Sequence, residues 1–164
     1  TPVGTVSPSV ALIMGDTKLA MLAFDKHMPP GISRVAPVNV VRDESEESLD
    51  LARTLRQRLR GVILDVCQTG GGVYPNTVKE VRARLDLEGY THVEIFVSGD
   101  LDVELIREFV EKGAPVNAFE VGRYIGGASS HGFSADIHEI DGKPVARRGR
   151  IPGTTPNARL VVLM

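Results

Sequence analysis

The stretch THVEIFVSGDLDVELIREFVEKGAPVNAFEVG, residues 91–122, decides the fold. His92 to Gly99 is an apolar run with β-branched and aromatic residues that stops at Ser98-Gly99, as a buried strand stops at a turn. Asp102 can cap a helix, and Ile106, Phe109 and Val110 return at helical spacing until Gly113 ends the segment. Val116 to Gly122 then reads as another strand. Strand, helix and strand in this compass make a βαβ unit, whose crossover requires parallel strands.

The same order runs upstream. RVAPVNVV, residues 34–41, has the β-branched density of a strand, and its Pro37 suits an edge or a bulge better than a sheet centre. Asp43 caps the next helix with Glu46 three positions on, and Leu49, Ala52, Leu55 and Leu59 recur near one face. The acidic run DESEESLD, residues 43–50, reads as the solvated start of that helix. GVILDV, residues 61–66, is a buried strand leading into the glycine-rich loop CQTGGGVYPN. Asn76 is a cap for a helix beginning near Thr77, with Val78, Val81 and Leu85 as its buried stripe and Gly89 at its end. Before all of these, SVALIMGDTKLAMLAFDKHM, residues 9–28, suggests two short helices broken at Gly15-Asp16. Beyond Gly126-Gly127 the pattern changes to a hairpin turning at Asp141-Gly142. The expected fold class is therefore α/β, with parallel βα units over residues 1–133 and a hairpin with a C-terminal extension over 134–164.

Composition bounds the function. The chain has 164 residues, 42% hydrophobic and 24% charged, enough for one domain with a real core. A net charge of −2 with interspersed signs supplies no broad basic field for nucleic acid. No apolar run approaches the roughly 20 residues a membrane span needs, and no signal-peptide pattern opens the chain. Cys67 is the only cysteine, so an intrachain disulfide and a cysteine-cluster zinc site are excluded, and a cytoplasmic location is the default reading. The four histidines, His27, His92, His131 and His138, show no metal-ligand spacing, and no metal site is expected from them.

In parallel α/β folds ligands meet the C-terminal ends of the strands. Three such ends carry chemistry: Asp65 closing its strand, Ser98-Gly99-Asp100, and Val121-Gly122-Arg123. A carboxylate, two glycine turns and a guanidinium outline a phosphosugar site. Each alone is as readily an ordinary turn or cap; their joint recurrence carries the reading. The Gly70-Gly71-Gly72 run lacks the lysine and hydroxyl residue of a P-loop and reads as a loop. Cys67 has no nucleophile context, and Arg147-Arg148-Gly149-Arg150 reads as a solvated hairpin edge.

The segments TPVGT, FDKHMPPG, VKEVRARLDLEGY, VEIFVSGDLD, GAPVNAFEVGRYI and DGKPVARRGRIPG, taken in order, resemble the C-terminal, barrel-bearing part of nicotinate phosphoribosyltransferases and their close bacterial relatives. The resemblance implies all or part of an irregular α/β barrel of the type II phosphoribosyltransferase fold. It further implies the joining of nicotinate to phosphoribosyl pyrophosphate, giving nicotinate mononucleotide for NAD synthesis, often with ATP hydrolysis and magnesium, in a homodimer. By position, the family's 5′-phosphate loops fall on Ser98, Gly99 and Asp100 and on Val121, Gly122 and Arg123. Its strand-end acid falls on Asp65, as the catalytic carboxylate, and the ribose-facing position falls on Asn39. The family's N-terminal domain has no counterpart, so a piece of a longer protein or an obligate oligomer is expected.

Four positions depart from the family pattern. Pro8 stands where relatives carry the histidine that is phosphorylated when ATP is coupled, and proline cannot accept a phosphoryl group. Ile63 replaces the arginine of RLD, Asn39 the aspartate of VDT, and Glu120 the glycine of GVG. Two alternatives stay beside the transferase reading. One is a catalytically degenerate homologue acting as a mononucleotide-binding or subunit-interaction module. The other is an unrelated sugar-phosphate-binding barrel enzyme, although no lysine sits at a strand end to form a Schiff base.

Overall fold

A computed structural model of the protein describes residues 3–66, 73–127, 137–146, 151–154 and 156. Cys67, the Gly70–Gly72 run, His131 and the Arg147–Arg150 cluster lie outside the described residues. The chain divides into two compact units, Thr1–Ala128 and Ser129–Met164.

The first unit is a parallel five-stranded sheet with the strands in sequence order: β1 (Val3–Thr5), β2 (Ser33–Val38), β3 (Leu59–Val66), β4 (Glu94–Gly99) and β5 (Ala118–Phe119). Sequential order without a reversal, with crossovers of the right hand that parallel strands almost always adopt, sends every connecting helix to the same side of the sheet. That is the progression of a barrel wall, whereas a doubly wound sheet reverses direction at a switch point. Side chains alternate along the strands accordingly. Ala36, Val38, Val62, Leu64, Ile95 and Val97 turn into the main core, while Ile63 and Phe96 line a groove on the other side.

Between the strands stand α1 (Pro8–Met14) and α2 (Thr17–His27), then α3 (Glu44–Leu55), α4 (Pro75–Leu87), α5 (Val103–Glu111) and α6 (Gly122–Gly126). Gly15, in the left-handed region at φ 72°, separates the first two as read from the sequence. Asp43 caps α3 by accepting from the Ser45 and Glu46 amides at 2.9 and 3.1 Å, and Asp102 caps α5 by accepting from Leu105 at 2.8 Å. In the second unit a two-stranded antiparallel hairpin, β6 (Glu139–Ile140) with β7 (Lys143–Pro144), turns at Asp141-Gly142. Both turn residues have positive φ, 50° and 74°, which is the geometry that makes Asp-Gly suit such turns.

Several expectations need correction. The buried face of α3 is Ser45, Glu47, Ser48, Leu51, Ala52 and Leu55; Leu49 is only partly buried, and Leu59 has left the helix to open β3. The acidic run is therefore not wholly solvated, since Glu47 is 1% exposed. Helix α4 starts at Pro75 with Tyr74 before it, so Asn76 lies inside the first turn. Proline suits that first position because its fixed φ is helical and the N–H it lacks would have no intrahelical partner. Val110 of α5 points outward at 66% exposure, leaving Phe109 as the buried anchor. The last strand is two residues, not seven. The Asn117 amide donates to the Ile95 carbonyl at 2.8 Å while its side chain accepts from the Ile95 amide at 2.7 Å, and Gly122 already begins α6. Pro37 lies beyond the last residue of β2 that pairs with β1, where among the described residues β2 has only β3 beside it. Locally it is an edge position.

Candidate functional site

Strand register builds the site. Val38 pairs with Leu64, Leu64 with Val97, Asp65 with Ser98, and Val97 with Phe119. The residue after each of Val38, Leu64, Val97 and Phe119 is Asn39, Asp65, Ser98 and Glu120, so these four stand in one row along the C-terminal edge of the sheet. Pleating points paired residues to the same side. They share that side with Ile63 and Phe96, away from the helices that bury Leu64 and Val97.

Two adjoining clefts use this row. The smaller, about 410 Å³, is lined by Asp65, Val66, Ser98, Gly99, Asp100, Glu120, Gly122 and Arg123. The larger, about 680 Å³, is shared by Asp65, Ser98 and Glu120 with Thr5, Ser7, Pro8, Asn39, Val40, Glu44 and Ile63, among others. Of the residues singled out from the sequence, the smaller cleft thus gathers Asp65, Ser98, Gly99, Asp100, Gly122 and Arg123. Asn39 lines the larger one. Val121 lines neither; it packs partly buried against the core.

The local bonding distinguishes the two glycine corners. At the first, the Asp100 amide already donates to the Val66 carbonyl at 3.0 Å, which closes the end of β4 onto β3. At the second, the first helical bond of α6 is from the Ile125 amide to the Val121 carbonyl at 3.1 Å, so the Gly122, Arg123 and Tyr124 amides precede the ladder. The Arg123 guanidinium is ion-paired with the Asp100 carboxylate across the cleft. Its side chain is 77% exposed, so the contact is that of a solvent-facing pair with little hold on either partner. Glu120, also exposed, adds a third carboxylate to the smaller cleft beside Asp65 and Asp100, opposing an anion there.

All four departures from the expected motif, Pro8, Asn39, Ile63 and Glu120, line the larger cleft, and only Glu120 also touches the smaller. Pro8 has a structural task at its position: it is the first residue of α1, behind a Ser7 side chain that accepts from the Ser9 amide at 3.3 Å. Magnesium is commonly held by one or two carboxylates together with substrate phosphates. Asp65 has that donor chemistry, but among the described residues no group of three or more His, Cys, Asp or Glu side chains is arranged to hold a metal ion. Among the described residues no helix is long and apolar enough to cross a membrane.

Sequence reasoning passed over Glu47, whose buried carboxylate lies behind the loop carrying Asn39. A signal was available, because Glu47, Leu51 and Leu55 succeed one another at helical spacing of four and so share a stripe.

No family model matches the chain. Among solved structures it is similar to a nicotinate-nucleotide pyrophosphorylase from Pyrococcus furiosus, with a TM-score of 0.72 and 37% sequence identity over 94% of this chain and 39% of that one. The chain spans about two fifths of the length of that protein. The likeness bears out the α/β fold read from the sequence.

Proposed function

We propose that this chain carries the phosphoribosyl-binding part of a pyridine phosphoribosyltransferase of NAD biosynthesis, joining nicotinate to phosphoribosyl pyrophosphate. The observation that supports it is the single cleft shared by Asp65, Ser98-Gly99 and Gly122, two strand ends and a helix start that are remote in sequence. The similarity to a nicotinate-nucleotide pyrophosphorylase agrees with that reading. In the transfer, the bond from ribose C1′ to the pyrophosphate oxygen breaks, and a bond from C1′ to the pyridine nitrogen forms. Pyrophosphate leaves with the electron pair of the broken bond. Positive charge grows on the sugar ring as the leaving group departs. The Asp65 carboxylate faces that charge, and fixed charge already in place stabilises it without reorganisation. The Gly122 corner receives the 5′-phosphate through amides that the helix leaves unused, with Arg123 released from Asp100 to join them. No phosphoryl transfer to residue 8 is part of the scheme, because Pro8 has no acceptor atom.

A second reading is favoured by the gathering of all four departures in the larger cleft: the phosphosugar end is retained, and turnover is lost. One experiment separates the two. Incubation of the protein with nicotinate, phosphoribosyl pyrophosphate and magnesium, without ATP, is assayed by chromatography for nicotinate mononucleotide and pyrophosphate. The transferase reading expects both products in equal amounts. Binding of nicotinate mononucleotide by calorimetry with no product formed selects the degenerate reading, and neither binding nor product refutes both.

A further inference from the structure

We propose that Glu47 is a positioning residue for the ribose-facing wall of the larger cleft, acting through the loop that carries Asn39. The inference rests on the phosphoribosyl reading for its ligand, while its structural part stands on the hydrogen bonds alone. The Glu47 side chain is 1% exposed and has no lysine or arginine side chain bonded to it among the described residues. Instead it accepts four hydrogen bonds. Oε1 accepts from the Thr17 hydroxyl at 2.8 Å, the Val41 amide at 3.1 Å and the Arg42 amide at 3.2 Å; Oε2 accepts from the Val40 amide at 3.0 Å.

Three consecutive amides therefore wrap one carboxylate directly after Asn39, which sits in the left-handed region at φ 60°. Asparagine tolerates that region better than most residues but still needs its surroundings to hold it there. Among the described residues the three amides have no backbone partner, so the turn is held by Glu47. Asn39 and Val40 line the cleft in front, and Thr17 ties the start of α2 to the same oxygen behind. Leaving the Glu47 donors unpaired costs each its desolvation, so the loop opens once the carboxylate is altered.

Glu47→Gln tests this, since it keeps the volume but turns an NH₂ group toward N–H donors. Amide exchange at Val40, Val41 and Arg42 is expected to accelerate about tenfold or more, while β3 and β4 amides change by less than about twofold. By calorimetry, ribose 5-phosphate is expected to lose about tenfold in affinity and inorganic phosphate, which on the phosphoribosyl reading is held at the Gly122 corner and carries no ribose to meet the Asn39 wall, to keep its affinity within about twofold. In an Asn39→Ala background the same substitution should add no further loss of ribose 5-phosphate affinity, because Glu47 acts through that residue. Unchanged loop exchange overturns the anchor. Equal losses for both ligands, or additive losses with Asn39→Ala, overturn the positioning role. If Glu47→Gln fails to fold, Thr17→Val removes one donor from the same oxygen and is held to the same exchange and ligand criteria at about threefold. A wild-type protein that binds neither probe refutes the phosphoribosyl reading, and the exchange data still judge the anchor.

Discussion

At the scale of single residues, Gly99 and Gly122 are alike in sequence and opposite in structure. Gly99 has φ 101°, and a Cβ there would run into the Asp65 carboxylate and the Val66 carbonyl, and lie 2.8 Å from the Val66 nitrogen. Its glycine is required by the close approach of β3 and β4, whatever binds nearby. A Cβ on Gly122 meets nothing within 4 Å. We therefore expect Gly99→Ala to destabilise the protein by about 2 kcal/mol or more, from overpacking and backbone strain together. Gly122→Ala should stay within about 0.5 kcal/mol of wild type in urea denaturation, and that makes Gly122 the position at which to probe ligand binding without unfolding. Equal losses at both positions would contradict the geometry. Glycine in the sequence marks both corners, but only the neighbouring strand distinguishes an obligatory contact from an open one.

At the scale of elements, capping and periodicity were legible where the chemistry is local. Asp43, Asp102, Gly15 and the Asp141-Gly142 turn act within a few residues of themselves, and each does what its type suggests. The stripe shared with Leu51 and Leu55 marks Glu47 for burial, but the donors that satisfy it, the Val40–Arg42 amides, and the shortening of β5 at Ile95 were not legible in the same way. Between elements, Asp50 of α3 joins Lys18 of α2 at 3.1 Å and Arg42 of the preceding loop at 2.9 Å. Burial works against the Asp50 charge, but hydrogen bonds from Arg42 and Lys18 outweigh it and hold its pKa below the ordinary 3.8. A carboxylate depressed in the folded state contributes stability above its unfolded pKa and loses it as pH falls through the folded one. Asp50→Asn should accordingly cost about 0.5–1 kcal/mol at neutral pH, as for a partly exposed network. The difference from wild type should shrink below 3.8 in denaturation measured against pH. A deficit that persists undiminished in acid would show that lost packing, and not the charge, is responsible.

At the scale of the whole molecule, the last strand depends on a contact distant in sequence. Among the described residues β5 has β4 as its only strand neighbour, and Phe119 meets the ring of Phe109 edge to face at 5.8 Å between centroids. Phe109 is fully buried, so Phe109→Ala should lower the unfolding free energy by about 3–5 kcal/mol. Amide exchange at Glu120, whose N–H bonds the Val97 carbonyl at 2.9 Å, should rise before that of β3, because the contact seats the edge strand. A uniform rise across the sheet would refute that order. The sequence by itself determined the order of strands and helices from β2 to α5, the caps Asp43 and Asp102, the turns at Gly15 and Asp141-Gly142 and the parallel direction, because those arise from spacing, conformational preference and the length of a crossover. Tertiary structure alone decided that Asn39, Asp65, Ser98 and Glu120 form one row, that the four departures share one cleft, and that an acidic helix start conceals the anchor of a loop. Register between strands is set by contacts across tens of residues, and the donors to Glu47 meet it only because a left-handed turn at Asn39 folds the loop back over the helix start, with Thr17 arriving from thirty residues away.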